Sequence, residues 1–367
     1  MKTYKVVSLF AGCGGLDLGF TQAGFQTVWA NEYDKTIWET YEHNHKGVPL
    51  DRRSIVDIPS NEIPDADGII GGPPCQSWSL AGAMRGGNDP RGQLFYEYVR
   101  ILKDKRPLFF LAENVPGIIS SAHKAAFDRL LTNFYSVGYD INYVALNAKH
   151  YGVPQERTRV IVVGYLKEIG KRFVFPAMTH ASLTAKKQLP LKYGTAVLQP
   201  LQTLRDAIGD LPEPMPAREK NWTNGDSLEI PNHEYMTGGF SSIYMSRNRK
   251  KEWDEPSFTI QAGGRHAPLH PASNTMIKLE QDKWKFDEET KYDYRRLSVR
   301  ECARIQTFRD DFVFRYKRLA DGYKMIGNAV PVLLAKVLAK QLMTDLIEHE
   351  HRRSSSNDHT AASLENT

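Results

Sequence analysis

Five short apolar runs mark the first 165 residues: YKVVSLF, QTVWANE, ADGIIGG, LFFLAEN and TRVIVVGY. No other feature of the chain constrains its fold as much. Stretches of helical length separate them, among them GQLFYEYVRILKDK and KAAFDRLLTNFYSVG. Strand–helix alternation of this kind builds an α/β fold, a doubly wound, mostly parallel sheet with helices on both faces. The first four runs end at a glycine loop or an acid. In such sheets ligands bind at the carboxyl ends of the strands, so those four ends are where chemistry is expected.

Beyond residue 175 the alternation dissolves. Prolines cluster in LPEPMP (211–216), and polar and aromatic residues mix without a period to about residue 294. This predicts an irregular, loop-rich second domain. Regularity returns at LSVRECARIQTF, where Ser298 and Glu301 have the spacing of a capping box that starts a helix. GNAVPVLLAKVLAKQLM is amphipathic, with Pro331 in its first turn. The last stretch, HRRSSSNDHTAASLENT, is polar and expected to be disordered.

With 41% hydrophobic residues over 367 positions, the chain can bury a real core in one large domain plus a smaller one. A formal charge of +5 fits a nucleic-acid partner without requiring one. The three cysteines, Cys13, Cys75 and Cys302, form no disulfide framework or zinc-type spacing, which suits a reducing cytoplasm. No apolar segment reaches the ~18–20 residues that span a membrane.

Four motifs carry chemistry. In SLFAGCGGLDLGF, the first run enters Gly12, Gly14 and Gly15, where bare backbone lets a ligand approach, and then a helix. Glu32 ends the next run, where an acid can accept hydrogen bonds from ribose hydroxyls. Either NAD or S-adenosylmethionine fits this pattern. In GGPPCQSWSLAG (71–82), Cys75 sits on a loop shaped by Gly and Pro at the ligand edge, unlike an ordinary buried cysteine. Cys302 lies within an amphipathic helix, and Cys13 packs beneath the glycine loop. Glu113, in AENV, follows an apolar run, and burial there would raise its pKa into the range of a proton donor. Arg157 and Arg159, in QERTRV, are two apart on a strand and share a face. Taken alone, such a pair is most simply two solvated surface charges.

FAGCGGLDLGF, GGPPCQSWSLAG, ENVPG, QERTRV, RRLSVRECARIQTF and GNAVPVLLA occur in this order. Together they resemble the ordered motif blocks of the DNA cytosine-5 methyltransferases, from about residue 4 to 345. The resemblance implies a Rossmann-like, S-adenosylmethionine-dependent fold with a smaller irregular target-recognition domain. It divides the chain into a catalytic domain at 1–177 completed by 319–350, a recognition domain at 178–318 and a disordered tail at 351–367. It implies that Cys75 adds to C6 of a flipped cytosine, that Glu113 protonates or hydrogen-bonds N3, that Arg159 holds O2 and that Arg157 buttresses the cysteine loop. Around the cofactor it places Phe10, Glu32 and Asn328, with Pro74 and Leu94 nearby. One departure stands out. Where the family has an Asp for the adenine amine, ungapped counting gives Ser54, and a shift of three residues gives Asp57.

The variable stretch before RRLSVREC holds PNHEYMTGGFSSIYMSRNRKKEWDEPSFTIQAGGRHAPLHP. Arginine grips guanine O6 and N7 with two bonds, although RNRKK by itself is a solvated basic run that touches phosphates. The stretch is similar to that of HaeIII-type methyltransferases, which modify the inner cytosine of GGCC. That similarity implies that Ile243, Arg247, Arg249 and Arg265 read the site, while Lys250 and Lys251 suit phosphates. The partners implied are double-stranded DNA containing GGCC and a cognate restriction endonuclease acting on the same site. The chain is expected to act as a monomer in the bacterial cytoplasm, with no membrane partner. The segment around 181–205 is longer than expected. Three rivals remain: a tRNA cytosine methyltransferase on the same fold, a catalytically silent DNA-binding protein and an NAD-dependent oxidoreductase. The recognition insert argues against the first. Intact Cys75, Glu113 and Arg159 argue against the second, and the later motif blocks argue against the third.

Overall fold

The structure is a computed structural model that describes residues 2–74, 90–182, 198–287 and 294–364. Its centre is a seven-stranded sheet. The strands are β1 (Lys5–Leu9), β2 (Gln26–Asn31), β3 (Leu50–Asp51), β4 (Gly68–Gly71), β5 (Phe109–Asn114), β6 (Tyr139–Asn147) and β7 (Thr158–Leu166). Their order is β3-β2-β1-β4-β5-β7-β6. All pairings from β3 to β5 are parallel, and β7 runs against both its neighbours. All five apolar runs are strands. No such run announces β6, because YDINYVALN alternates buried with more exposed positions along the sheet edge.

Adjacent strand residues point to opposite faces, and β5 shows what each face meets. Phe109 packs against Phe20 and Phe25, on and just beyond α1 (Gly15–Gln22). Phe110 packs against Tyr98 and Phe134. Helix α2 (Trp38–Asn44) follows β2, Tyr98 belongs to α3 (Pro90–Lys105), and Phe134 belongs to α4 (Lys124–Ser136). Helices thus cover both faces, as alternation predicts.

The chain winds outward from β1 to β3 and returns to β4 on the other side of β1. The carboxyl ends of β1 and β4 therefore form the topological switch point, where a crevice opens beyond the sheet. Residues 10–15 and 72–74 lie there, flanked by Glu32 and Glu113.

The remainder has little regular structure. Its helices are α5 (Leu204–Ile208), α6 (Val299–Ile305) and α7 (Leu319–Asn328), whose apolar residues join a second core cluster with Cys13 and Ile37. The expected capping box at α6 is present, with Ser298 accepting from the Glu301 N–H and Glu301 accepting from the Ser298 N–H. A third, small cluster forms around Tyr244, Leu269 and Met276. The last helix, α8 (Val332–Leu364), returns to the sheet core, where Leu334, Leu338, Leu342 and Leu346 are buried. It is described as far as Leu364, beyond the packed stretch. A helix already nucleated and packed extends at little cost per residue, so a polar sequence can follow it. Among the described residues no helix is long and apolar enough to cross a membrane.

Candidate active site

The glycine loop divides into two parts. Gly12 has φ +57°, and a Cβ there would meet none of the described residues within 4 Å, so its Cα side is open among them. Gly14 and Gly15 are bare for a different reason. A Cβ on Gly14 would collide with His45, and one on Gly15 would lie 2.6 Å from the Val330 carbonyl oxygen. Their bareness serves packing within the chain. Phe10, half-buried, begins the loop with φ +53°. Cys13 is buried, and its thiol donates to the Met325 carbonyl.

Glu32 ties this loop to β2. Its carboxylate accepts from the Gly12 N–H at 2.9 Å and from the Asp34 N–H at 2.7 Å. Burial pushes its pKa up, against those two bonds. A carboxylate has about four lone-pair positions, so Glu32 retains acceptors for a ligand's hydroxyls. Tyr33, the next residue, is 71% exposed. Sequence reasoning passed over it, although an aromatic directly after the strand-end acid is the available signal. Asn328, the exposed last residue of α7, sits beside the loop because its neighbours Ala329 and Val330 press on Gly15. Open backbone at Gly12, spare carboxylate acceptors at Glu32 and an exposed ring at Tyr33 suit a nucleoside, and S-adenosylmethionine carries one. Leu94 is half-buried and Pro74 exposed. Ser54 is half-buried and precedes a short 3-10 turn at Ile55–Asp57 without a side-chain capping bond, and Asp57 is exposed.

Cys75 and the rest of its loop to residue 89 lie outside the described residues. The base of that loop is fixed. Asn114, at the end of β5, donates to the Pro73 carbonyl at 3.0 Å. Glu113 is buried just before it, its Oε1 2.7 Å from Nε of Arg159. Burial pushes the Glu113 carboxyl up, and the charges of Arg159 and Arg157 only partly oppose it. Residues Gln155, Arg157 and Arg159 are all buried, in place of the solvated pair that R-x-R alone suggests. Arg157 bonds the carbonyls of Ile260, Gly327 and Ala329, at 2.9, 2.7 and 2.9 Å. Its described bonds thus join the β7 entry to the irregular region and the end of α7, and none goes to the base of the cysteine loop. Gln155 reinforces the joint, accepting from the Ile260 N–H and donating to Gln306.

The four expected base readers separate into three exposed residues and one buried one. Ile243 is 65% exposed, and Arg247 and Arg265 are exposed as well. Arg249 is 5% exposed. Its Nε and Nη2 donate to the carbonyls of Tyr244 and Ile243, and its guanidinium lies over the Tyr244 ring. Two of its five N–H donors therefore hold the turn that presents Ile243. A second buried arginine, Arg296, was missed. It donates to Gly238, Gly239 and the carbonyl of Arg265, and lies over Phe240. Nearby His266 has its pKa pushed down by burial and by Arg249, Arg247, Arg296 and Arg265, which marks a cationic cluster. Lys250 and Lys251 are paired instead, with Glu252 and Glu255.

The chain matches the family "C-5 cytosine-specific DNA methylase" over residues 4–344. It is 58% identical to the type II methyltransferase M.MthTI of Methanothermobacter thermautotrophicus, over 93% of this chain and 97% of that one. It is 51% identical to the type II methyltransferase M.FnuDI of Fusobacterium nucleatum, over 94% and 96% of the two. The crystal structure of the Dnmt2 methyltransferase of S. pombe superposes with a TM-score of 0.57 at 17% identity, covering 94% of this chain and 99% of that one, and supports the fold. With these matches over a switch-point crevice fit for a nucleoside, the chain belongs to the C-5 cytosine-specific DNA methylase family and is a DNA cytosine-5 methyltransferase that uses S-adenosylmethionine.

Proposed function

We propose that this enzyme flips and methylates the inner cytosine of double-stranded GGCC through a covalent bond between Cys75 and C6. It serves as the modification half of a restriction–modification pair, acting as a monomer in the bacterial cytoplasm beside an endonuclease for the same site. The catalytic unit is 1–177 with 319–350, and 178–318 form the recognition unit.

The observation that carries this reading is the buried Glu113–Arg159 pair next to the tethered base of the Cys75 loop. Cytosine presents N3 and O2 side by side. Burial shifts the Glu113 carboxyl toward the protonated form that can donate to N3, and a guanidinium beside it suits O2. When the Cys75 thiolate adds to C6, the ring's electrons move toward N3, where Glu113 donates a proton, and C5 becomes the nucleophilic carbon. S-adenosylmethionine, when bound, supplies an electrophilic methyl group. Once C5 carries the methyl group, a base takes the C5 proton, the C5–C6 double bond re-forms as the C6–S bond breaks, Cys75 leaves as the thiolate and N3 returns its proton to Glu113. The target atoms are inaccessible in a duplex, so the base is extruded at a cost of a few kcal/mol.

Ile243, Arg247 and Arg265 stand exposed for base contact, and Arg249 keeps part of its fork for a guanine while holding the turn. The similarity of this stretch to HaeIII-type enzymes supports GGCC as the site. Bisulfite sequencing of DNA from a host expressing the enzyme tests both levels. Protection of the inner cytosine at GGCC is expected. Protection at another sequence overturns the specificity alone, and none anywhere overturns the activity. Cys75→Ser should abolish protection and also the covalent adduct that wild type forms with a 5-fluorocytosine target. The same adduct in the variant removes Cys75 from the mechanism.

A further inference from the structure

The residue that occupies the missing side chain of Gly14 is His45, far from the motifs that mark the cofactor loop. A Cβ on Gly14 would lie 2.0 Å from Nε2 of His45. The same nitrogen is 3.2 Å from the Cys13 carbonyl oxygen. A carbonyl only accepts, so Nε2 carries the hydrogen and donates it. His45 therefore both fills the space under the loop and fixes the orientation of one of its peptide planes.

The imidazole is itself held on several sides. It stacks on Tyr41 with centroids 4.4 Å apart, and Phe312 meets it edge-on at 5.9 Å. The Tyr41 hydroxyl donates to the buried Asp17 carboxylate at 2.7 Å, and Ser8 donates to the same carboxylate at 2.9 Å. Ser8 lies on β1 and Asp17 on α1, the two elements the loop connects. The result is a closed ring of contacts from β1 through Asp17, Tyr41 and His45 back to Cys13. On its other side the loop is held by the Gly12–Glu32 bond. Between the two supports the Cα side of Gly12 is open among the described residues.

We propose that His45 is a positioning residue for S-adenosylmethionine: it holds the 12–15 loop in the one conformation that presents its backbone to the cofactor. Only the established cofactor is needed for this inference, and it is independent of the GGCC reading. Loss of the imidazole removes a donor from a buried carbonyl and leaves a void under a left-handed glycine. The loop then samples conformations that bind cofactor poorly.

Calorimetric titration of S-adenosylmethionine into wild type, His45→Ala, His45→Gln, Gly14→Ala and the double variant Gly14→Ala/His45→Ala tests this. His45→Ala should weaken binding by about tenfold or more, and His45→Gln, which keeps an N–H near the same place, should recover most of the loss. The steady-state defect should appear in KM for the cofactor rather than in kcat. In the double variant the two losses should not add, because removing the imidazole removes the clash that Gly14→Ala creates. Should His45→Ala or Gly14→Ala fail to fold by circular dichroism, His45→Leu against His45→Gln carries the test, since leucine fills the space without a donor. Wild-type cofactor affinity in His45→Ala, additive losses in the double variant, or equal affinities for the Leu and Gln variants each overturn the proposal.

Discussion

Two buried glutamates, each beside an arginine, mark the two halves of the molecule, and their surroundings differ. Glu301, in the irregular region, accepts three hydrogen bonds. Arg295 grips both its oxygens at 2.9 and 3.0 Å, and the Ser298 N–H donates at 2.6 Å. Burial alone would push its carboxyl up, but Arg295, His270 and the Ser298 N–H take it below the usual range. Glu113, near the carboxyl end of β5, has one contact among the described residues, 2.7 Å to Nε of Arg159, and burial pushes it up. Both sit in protein interior next to a cation. A carboxyl gripped by several donors supports the fold, whereas the proposed mechanism sets Glu113, with one partner among the described residues, against a substrate.

Exchanging each acid for its amide is the most direct way to break this contrast. Glu113→Gln should slow the single-turnover methylation step by ~10²–10⁴-fold, with cofactor affinity near wild type and a smaller loss of stability than at Glu301, because burial already disfavours the Glu113 charge. Glu301→Gln should do the reverse. It leaves Arg295 buried with Glu213 as its one acidic partner among the described residues, and should lower stability by about 3–5 kcal/mol in denaturant titrations while the chemical step in the folded fraction is unchanged. If Glu113→Gln methylates at the wild-type rate, spare acceptors are no guide to catalysis here.

The same distinction sorts the arginines, with smaller effects. Arg296 is filled by carbonyls of the loops it holds, whereas Arg247 and Arg265 are exposed. Arg247→Ala and Arg265→Ala should each cost ~1–3 kcal/mol of discrimination at one base pair, measured as kcat/KM on GGCC against its single-base variants. Arg296→Met should lower kcat/KM on every sequence alike, because it loosens the frame rather than removing a reader. Equal losses on all sequences for the two exposed arginines would make them backbone contacts and withdraw the physical support for GGCC.

The sequence revealed elements with strong local signals and missed residues whose roles depend on distant neighbours. The apolar runs located five strands, and Ser298–Glu301 located the start of α6. β6 escaped because an edge strand has no continuous apolar run. Glu113 was legible from an acid ending a buried strand, but nothing local says that the R-x-R pair is buried, since the cover over Arg157 comes from Ile260, Gly327 and Ala329. Arg249 looked like its exposed neighbour Arg247 because a one-letter run does not show that one guanidinium turns inward onto Tyr244. His45 lies outside every motif, and its part emerges only where the chain brings it under Gly14.

The subtlest consequence of the glutamate contrast is the sign of its pH dependence. Glu113 has a folded pKa above that of the unfolded chain, which is about 4.3 for glutamate. Its folded state holds the proton longer, so its contribution is fully present below that pH and is lost as pH rises through the raised folded value. Glu301 has a folded pKa below the unfolded one, so its contribution is present above about pH 4.3 and is lost as pH falls through the lowered value. Each group changes stability by at most about 1.4 kcal/mol per pH unit within its window. Denaturant titrations of wild type and the two glutamine variants across acid and neutral pH isolate each term by subtraction. The difference between wild type and Glu113→Gln should move against wild type as pH rises above ~4.3, and that between wild type and Glu301→Gln should move against wild type as pH falls below it. Two difference curves that slope the same way would mean that both carboxyls feel the same balance of burial and charge, and the division between a firmly held acid and a poised one would collapse.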